Sequence, residues 1–227
     1  MGFGSGPARL PGVRLFVWRL GDDATGVLAD NVGWMAWNLL LAVIPAVLAV
    51  MLFRRERPRT IAWWVGAGAF VLFLPNAPYL LTDLIHVRGD VAQAQLDRTV
   101  VFAVLPTYVA FVIAGFGCYV IALREVARAL LRAGRGAWVW ASEVLLHAAC
   151  AFGVLLGRIP RLNSWYVLTR PRHTLREVYS MVTWPPAVVA LPLLFAAIWA
   201  GHWTLRAGLR AVAPHVDRVR AAGWHRA

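Results

Sequence analysis

The stretch GWMAWNLLLAVIPAVLAVMLF, residues 33–53, carries no charged side chain and is opened by Trp34 and Trp37. At a rise of about 1.5 Å per residue, a helix of this length crosses the roughly 30 Å of a bilayer's hydrocarbon core. A helix that is apolar on every side has no water-facing surface, so it belongs inside a membrane. Working outward, four further blocks share this character. The second starts at Ile61 with Trp63 and Trp64 at its head, and the third covers Val100 to Leu123. The fourth covers Ala137 to Gly157 behind Trp138 and Trp140, and the fifth runs from Thr183 to Leu205 between Trp184 and Trp203. Tryptophan at block ends is the aromatic belt of rings seated at headgroup level. The expected fold is therefore an all-α integral membrane protein with about five transmembrane helices.

Composition agrees. Sixty per cent of the residues are apolar and only 15% charged, too few charges to cover the exterior of a soluble domain. The net charge of +12 would suggest nucleic acid in a soluble protein. Here the basic residues, all arginine, cluster in the connections between apolar blocks, and no nucleic-acid partner is called for. The expected partner is the lipid bilayer. Cys118 and Cys150 lie inside apolar blocks and imply neither a disulfide framework nor a cysteine-rich metal site.

Residues 54–59 carry four Arg and one Glu, as do residues 124–135, and the tail adds Arg206, Arg210, Arg218, Arg220 and Arg226. In a five-span chain these segments share one side, which the positive-inside rule makes cytoplasmic. The reading is a bacterial inner-membrane protein with its N-terminus outside and its C-terminus inside. The fourth connection breaks the trend, since Arg158, Arg161, Arg170, Arg172 and Arg176 fall on the outer side. Either a span is miscounted or these arginines do something other than set orientation. Residues 1–30 read as a tail, disordered before residue 12 and with a short interfacial helix over Leu15 to Leu20. Residues 31–206 read as one membrane domain, and 207–227 as a basic tail.

The second block is too short. Ile61 to Leu74 covers only about 21 Å as helix, so the chain must continue through Pro75-Asn76-Ala77-Pro78 to reach the far face. Two prolines remove backbone donors, and the helix is expected to break there. Within a membrane such a break is tolerated only where protein or a wet cavity satisfies the freed groups. It marks either a binding site or a kink sealed by neighbouring helices.

Three polar elements are candidates for chemistry. Beyond Asn76 and Tyr79, Asp83 and His86 sit three apart on one helical face, where they can share a proton or a metal; the alternative is an ordinary interfacial helix end. On the fourth helix Glu143 and His147 are four apart, in a stripe that continues through Cys150, Val154 and Arg158. An intramembrane carboxylate is expected to have a partner, and His147 is the expected one, as a proton relay or a structural pair. Leaving that helix, Arg158, Arg161, Asn163, Ser164 and Trp165 offer two guanidiniums, an amide, a hydroxyl and an indole. Arginine suits phosphate and carboxylate because its fork donates two parallel hydrogen bonds; the alternative is arginines snorkelling to the headgroups.

Leu74 to His86, Gly157-Arg158 through Asn163-Ser164-Trp165, and Asn38 to Pro45 resemble the signature stretches of a bacterial membrane-protein family catalogued as domain of unknown function 1361. The similarity extends over roughly residues 31 to 205. The family pattern reads Arg-Trp-Asn-Ser-Trp-Asp where this chain has Arg161-Leu162-Asn163-Ser164-Trp165-Tyr166, so a carboxylate is missing. The resemblance implies a multi-pass membrane protein and no particular activity.

The expectation is an outward-facing polar pocket between the second and fourth helices. Asn76, Tyr79, Arg158, Arg161, Asn163, Ser164 and Trp165 would bind an anionic lipid or envelope-related ligand. Asp83, His86 and His147 would act as acid and base, or share a metal if one is present. The rivals are a proton-coupled transporter or channel using the broken helix and Glu143–His147, and a scaffold without a small-molecule site. Cofactor and oligomeric state are not legible. The chain has no His-Glu-x-x-His helix, Gly-x-Ser-x-Gly elbow or phosphate-cradling loop, so the standard soluble hydrolase and nucleotide-binding classes drop out.

Overall fold

The computed structural model describes residues 11–56 and 58–224, with side chains from 18 to 212. Among these, five segments are long and apolar enough to cross a membrane: Trp18–Phe53, Ile61–Gln93, Asp97–Arg132, Trp138–Arg158 and Ala187–Val212. Helix α1 runs without interruption over Pro11–Phe53. Leu15 to Leu20 is thus continuous with the first span, and the stretch expected to be disordered lies almost wholly outside the described residues. At the other end of α1, Arg132 donates to the carbonyl of Phe53, one of the groups a helix terminus leaves without a partner.

The second span is a composite. Helix α2 (Ile61–Phe73) starts at Thr60, whose hydroxyl accepts the Trp63 N–H at 3.3 Å, an N-cap contact. It stops before Pro75. A short turn α3 (Asn76–Tyr79), a 3-10 turn over Thr82–His86 and helix α4 (Val87–Gln93) complete the crossing. The expected break is therefore present, and local hydrogen bonds account for it. The Ala77 N–H donates to Leu74 at 3.2 Å rather than to Phe73, and the Asn76 amide donates to the Phe73 carbonyl at 2.8 Å. A side chain thus satisfies the acceptor that the break released, as a low-dielectric setting demands.

The third span opens with a short turn α5 (Asp97–Thr99) and one π-helical turn, Val100–Val104, before helix α6 (Leu105–Arg132). Asp23 of α1 holds this entry, accepting from the Thr99 hydroxyl at 2.6 Å and the Leu96 N–H at 3.1 Å. Helix α7 (Trp138–Arg158) is the fourth span. Helix α10 (Ala187–Trp224) contains the fifth and carries on through the segment expected as a basic tail. Between them lie a turn α8 (Tyr166–Thr169) and helix α9 (Pro171–Val182). The apolar-block reading misses both, because neither is a membrane span.

Helix α7 meets the break in α2 at very short range. A Cβ on Gly153 would lie 2.4 Å from Pro75 Cγ, and one on Gly157 would lie 3.1 Å from the Tyr79 ring. Glycines four apart clear a groove that larger residues would fill, and the Pro75–Tyr79 segment occupies it. The core around the junction contains Leu74, Ala77, Leu80, Tyr108, Cys150, Ala151 and Val154, all buried. The five spans thus form an all-α membrane protein with its broken helix clamped at one end of the bundle.

Candidate functional site

A cleft of about 860 Å³ opens beside the break, lined by residues of α1, the second span, α7 and the segment after it. Its polar lining consists of Asn38, Asn76, Tyr79, His86, Arg158, Arg161, Asn163, Ser164 and Thr174. Six of the expected ligand-binding residues are therefore brought together; Trp165 does not line the cleft. The lining also includes the half-buried Leu41, Leu72 and Pro75 and the exposed Trp37, Ile85 and Val167.

Five of the polar residues, Asn38, Asn76, Tyr79, Arg158 and Ser164, are engaged in holding the break. Asn76 donates to Ser164 Oγ at 3.1 Å in addition to its bond with Phe73. Arg158 lies 3.3 Å from Asp83 Oδ1, donates to the Tyr79 hydroxyl at 3.1 Å, and donates to the Thr82 carbonyl. Its guanidinium also sits 5.2 Å from the Tyr79 ring centre. The side chains of Arg158 and Asp83 thus tie α7 to the far half of the broken helix. Asp83 is only 1% exposed, and its second oxygen accepts from Asn38 Nδ2 at 2.9 Å.

That arrangement corrects the expected Asp83–His86 pair. The His86 Nδ1 donates to the backbone carbonyl of Asp83 at 3.0 Å, and its ring packs 4.8 Å from Trp34. The carboxylate faces Arg158 and Asn38 instead. Three-residue spacing keeps the two side chains on one side of the 3-10 turn, but the histidine Nδ1 is taken by the Asp83 backbone carbonyl and the carboxylate by groups from other helices. Trp34 extends the polar network: it donates to Asn31 at 2.8 Å, Asn31 donates to Asp90 at 2.6 Å, and the Tyr108 hydroxyl donates to the same carboxylate oxygen at 2.9 Å.

Arg161 behaves differently from Arg158. It lines the cleft, and it has no hydrogen-bond or ion-pair partner among the described residues. Its φ of 57° makes it the one non-glycine residue in the left-handed region among those described. There it turns the chain back at the end of α7, so that the Leu162 N–H reaches the Leu156 carbonyl at 3.1 Å. Glycine is the usual residue at such a position because a Cβ costs roughly 1–2 kcal/mol there.

His147 lies outside the cleft lining and is wholly buried. The expected Glu143–His147 side-chain pair does not form. The His147 Nδ1 donates to the Glu143 backbone carbonyl at 2.5 Å, and the Glu143 carboxylate accepts from Arg206 of α10 at 3.1 Å. A four-residue spacing on one helix cannot reveal a partner on another. His147 instead packs with Tyr119 and His202, at ring separations of 5.5 and 5.1 Å. His147 Nε2 and His202 Nδ1 have no hydrogen-bond partner among the described residues. Among the described residues no three His, Cys, Asp or Glu side chains converge as metal ligands, so Asp83, His86 and His147 are not a ligand set.

Sequence reasoning missed Asn38 and Thr174 as lining residues. Asn38 was detectable, being the only amide within the first apolar block and hence an intramembrane polar group in need of a partner. Thr174 carried no signal, since its place depends on where α9 folds.

A family model described as "Protein of unknown function (DUF1361)" matches residues 37–200. No curated protein and no solved structure matches the chain. The matched region takes in Asn38, the break at Pro75–Pro78, Asp83, Arg158 and the Arg161–Trp165 segment, which together build the cleft. With most of its length matched, the chain belongs to the DUF1361 family of proteins of unknown function.

Proposed function

We propose that the cleft binds a membrane-resident amphiphile with an anionic headgroup, with Arg161 as the anchoring cation. The observation that carries this reading is the placement of Arg161. An arginine occupies a turn that favours glycine, borders the cleft and has no hydrogen-bond or ion-pair partner among the described residues. A residue kept against its backbone preference is accounted for by what its side chain does. Asn163, Ser164 and Thr174 add neutral groups around the same space. Arg158 is neutralised by Asp83 and contributes shape rather than net charge. The volume falls in the range of small-molecule sites, roughly 300–1,000 Å³. The lining joins these polar groups with the apolar Leu41, Leu72 and Leu156, the mixture that a headgroup with an attached chain requires.

This reading contains no acid–base step, because Asp83 is buried and paired and His147 lies outside the cleft. The arginine distribution supports a cleft facing away from the cytoplasm, with the N-terminus on that side of a bacterial inner membrane. The test is Arg161→Gly in purified protein, probed with dioctanoyl phosphatidylglycerol and dioctanoyl phosphatidylcholine by native mass spectrometry. Wild type is expected to retain the anionic lipid preferentially. The variant should lose that preference while its melting temperature holds or rises, since glycine relieves the turn. Equal retention of the two lipids by wild type, or an unchanged preference in the variant, refutes the reading.

A further inference from the structure

The fourth connection carries five arginines on the side of the bundle where orientation rules expect few. The described residues contain five helices long and apolar enough to cross a membrane, the number counted from the sequence. Arg158 is accounted for by Asp83, Arg161 lines the cleft, and Arg170 lies over the Tyr166 ring at 4.9 Å. Arg172 and Arg176 remain, both exposed on α9.

Helix α9 has four distinct sides. At about 100° per residue, Leu175, Tyr179 and Val182 form one stripe, and these are 69%, 71% and 67% exposed. About a quarter-turn to one side stand Thr174, Val178 and Met181. Thr174 lines the cleft, and Met181 packs with Leu155 and Ala187. About a quarter-turn to the other side stand Arg172 and Arg176. Opposite the apolar stripe are His173, Glu177 and Ser180. His173 lies 3.8 Å from Glu177, and Ser180 bonds back to the Glu177 carbonyl at 3.0 Å. A helix lying flat at a membrane surface has these four surroundings in this order: protein, acyl chains, headgroups and water. Turn α8 extends the apolar stripe through the exposed Leu168.

We infer that α9 is an interfacial helix that binds an anionic lipid surface beside the cleft, with Leu175, Tyr179 and Val182 in the acyl region and Arg172 and Arg176 on lipid phosphates. The bilayer is the occupant because the stripe and the basic edge meet at a right angle on a segment joining two spans. A stripe this exposed in a membrane protein faces hydrocarbon, and the arginine stems reach from it to the headgroup level. The arginines of this connection therefore serve side-chain pairing, the cleft and lipid headgroups, and orientation is set elsewhere. This inference stands apart from the cleft ligand, since neither Arg172 nor Arg176 lines the cleft.

Hydrogen–deuterium exchange of the whole protein in nanodiscs tests it. One set is pure phosphatidylcholine and the other an equal mixture with phosphatidylglycerol. Backbone amides of 172–182 are expected to be protected in both and more so in the anionic discs. Two arginines at roughly fivefold each give about a 25-fold difference in local opening. In the double variant Arg172→Gln, Arg176→Gln this difference should vanish, with preferential lipid retention by the Arg161 site unchanged. Equal protection of wild type in the two lipids overturns the assignment of the basic edge. Fast exchange in both overturns the bilayer as the cover of the stripe, and leaves a protein partner or second copy as the occupant.

Discussion

Replacing Gly153 by Ala tests the junction between α7 and the broken helix, with Gly117→Ala as its internal control. Both exchanges add one methyl inside a helix, where alanine is favoured by about 1 kcal/mol. They differ in what the methyl meets. At Gly117 nothing lies within 4 Å, whereas at Gly153 it would lie 2.4 Å from Pro75 Cγ and 2.7 Å from Pro75 Cβ. A proline ring cannot swing aside as a leucine can, so α7 or the break must shift. Overpacking of this kind costs roughly 1–3 kcal/mol, which outweighs or cancels the helical gain. The control should keep that gain. The variants are thus expected to differ by about 1–3 kcal/mol, and at roughly 2–4 °C per kcal/mol their melting temperatures should separate by several degrees. The assay is thermal unfolding in detergent followed by a thiol-reactive fluorophore. Cys150 is completely buried, so in a Cys118→Ser background, needed because Cys118 is only partly buried, its labelling reports loss of the fold without an introduced cysteine. A Gly153→Ala protein that melts at or above Gly117→Ala would refute the reasoning, because the α7 groove would then not be filled by the break.

Three further outcomes follow from the buried polar groups. Asp83→Ala leaves Arg158 without its counter-charge and Asn38 without its acceptor. A loss towards the lower end of the roughly 3–5 kcal/mol for a broken buried pair is expected, since Arg158 keeps some solvent and two other partners; an unchanged melting temperature would contradict the lock. Asn76→Ala leaves the Phe73 carbonyl without its side-chain donor, a cost of about 1–3 kcal/mol, whereas Asn163→Ala, whose side chain makes no hydrogen bond among the described residues, should be near neutral in the same melting assay. His202→Leu removes an imidazole nitrogen that has no hydrogen-bond partner among the described residues, so stability should hold or rise. A loss above about 2 kcal/mol would mean that the Tyr119–His147–His202 centre is satisfied by bound water.

Much of this protein follows from the sequence alone. Apolar blocks long enough to cross a bilayer, with tryptophans at their ends, require five helices, because a backbone in hydrocarbon must bond to itself. The prolines at 75 and 78 require a break, since two donors are missing and a ring displaces the preceding turn. Most of the cleft residues were visible as polar groups at the ends of spans. The tertiary structure decided the partners. Asp83 was placed with His86 and Glu143 with His147 by helical spacing, yet each carboxylate bonds to an arginine from a different helix, Arg158 and Arg206. Spacing describes only neighbours on the same rod, whereas a buried charge is satisfied by whichever cation the packing of separate rods brings within reach. Gly153, which admits Pro75, sets that packing, and a glycine in an apolar block carries no mark of what will lie against it.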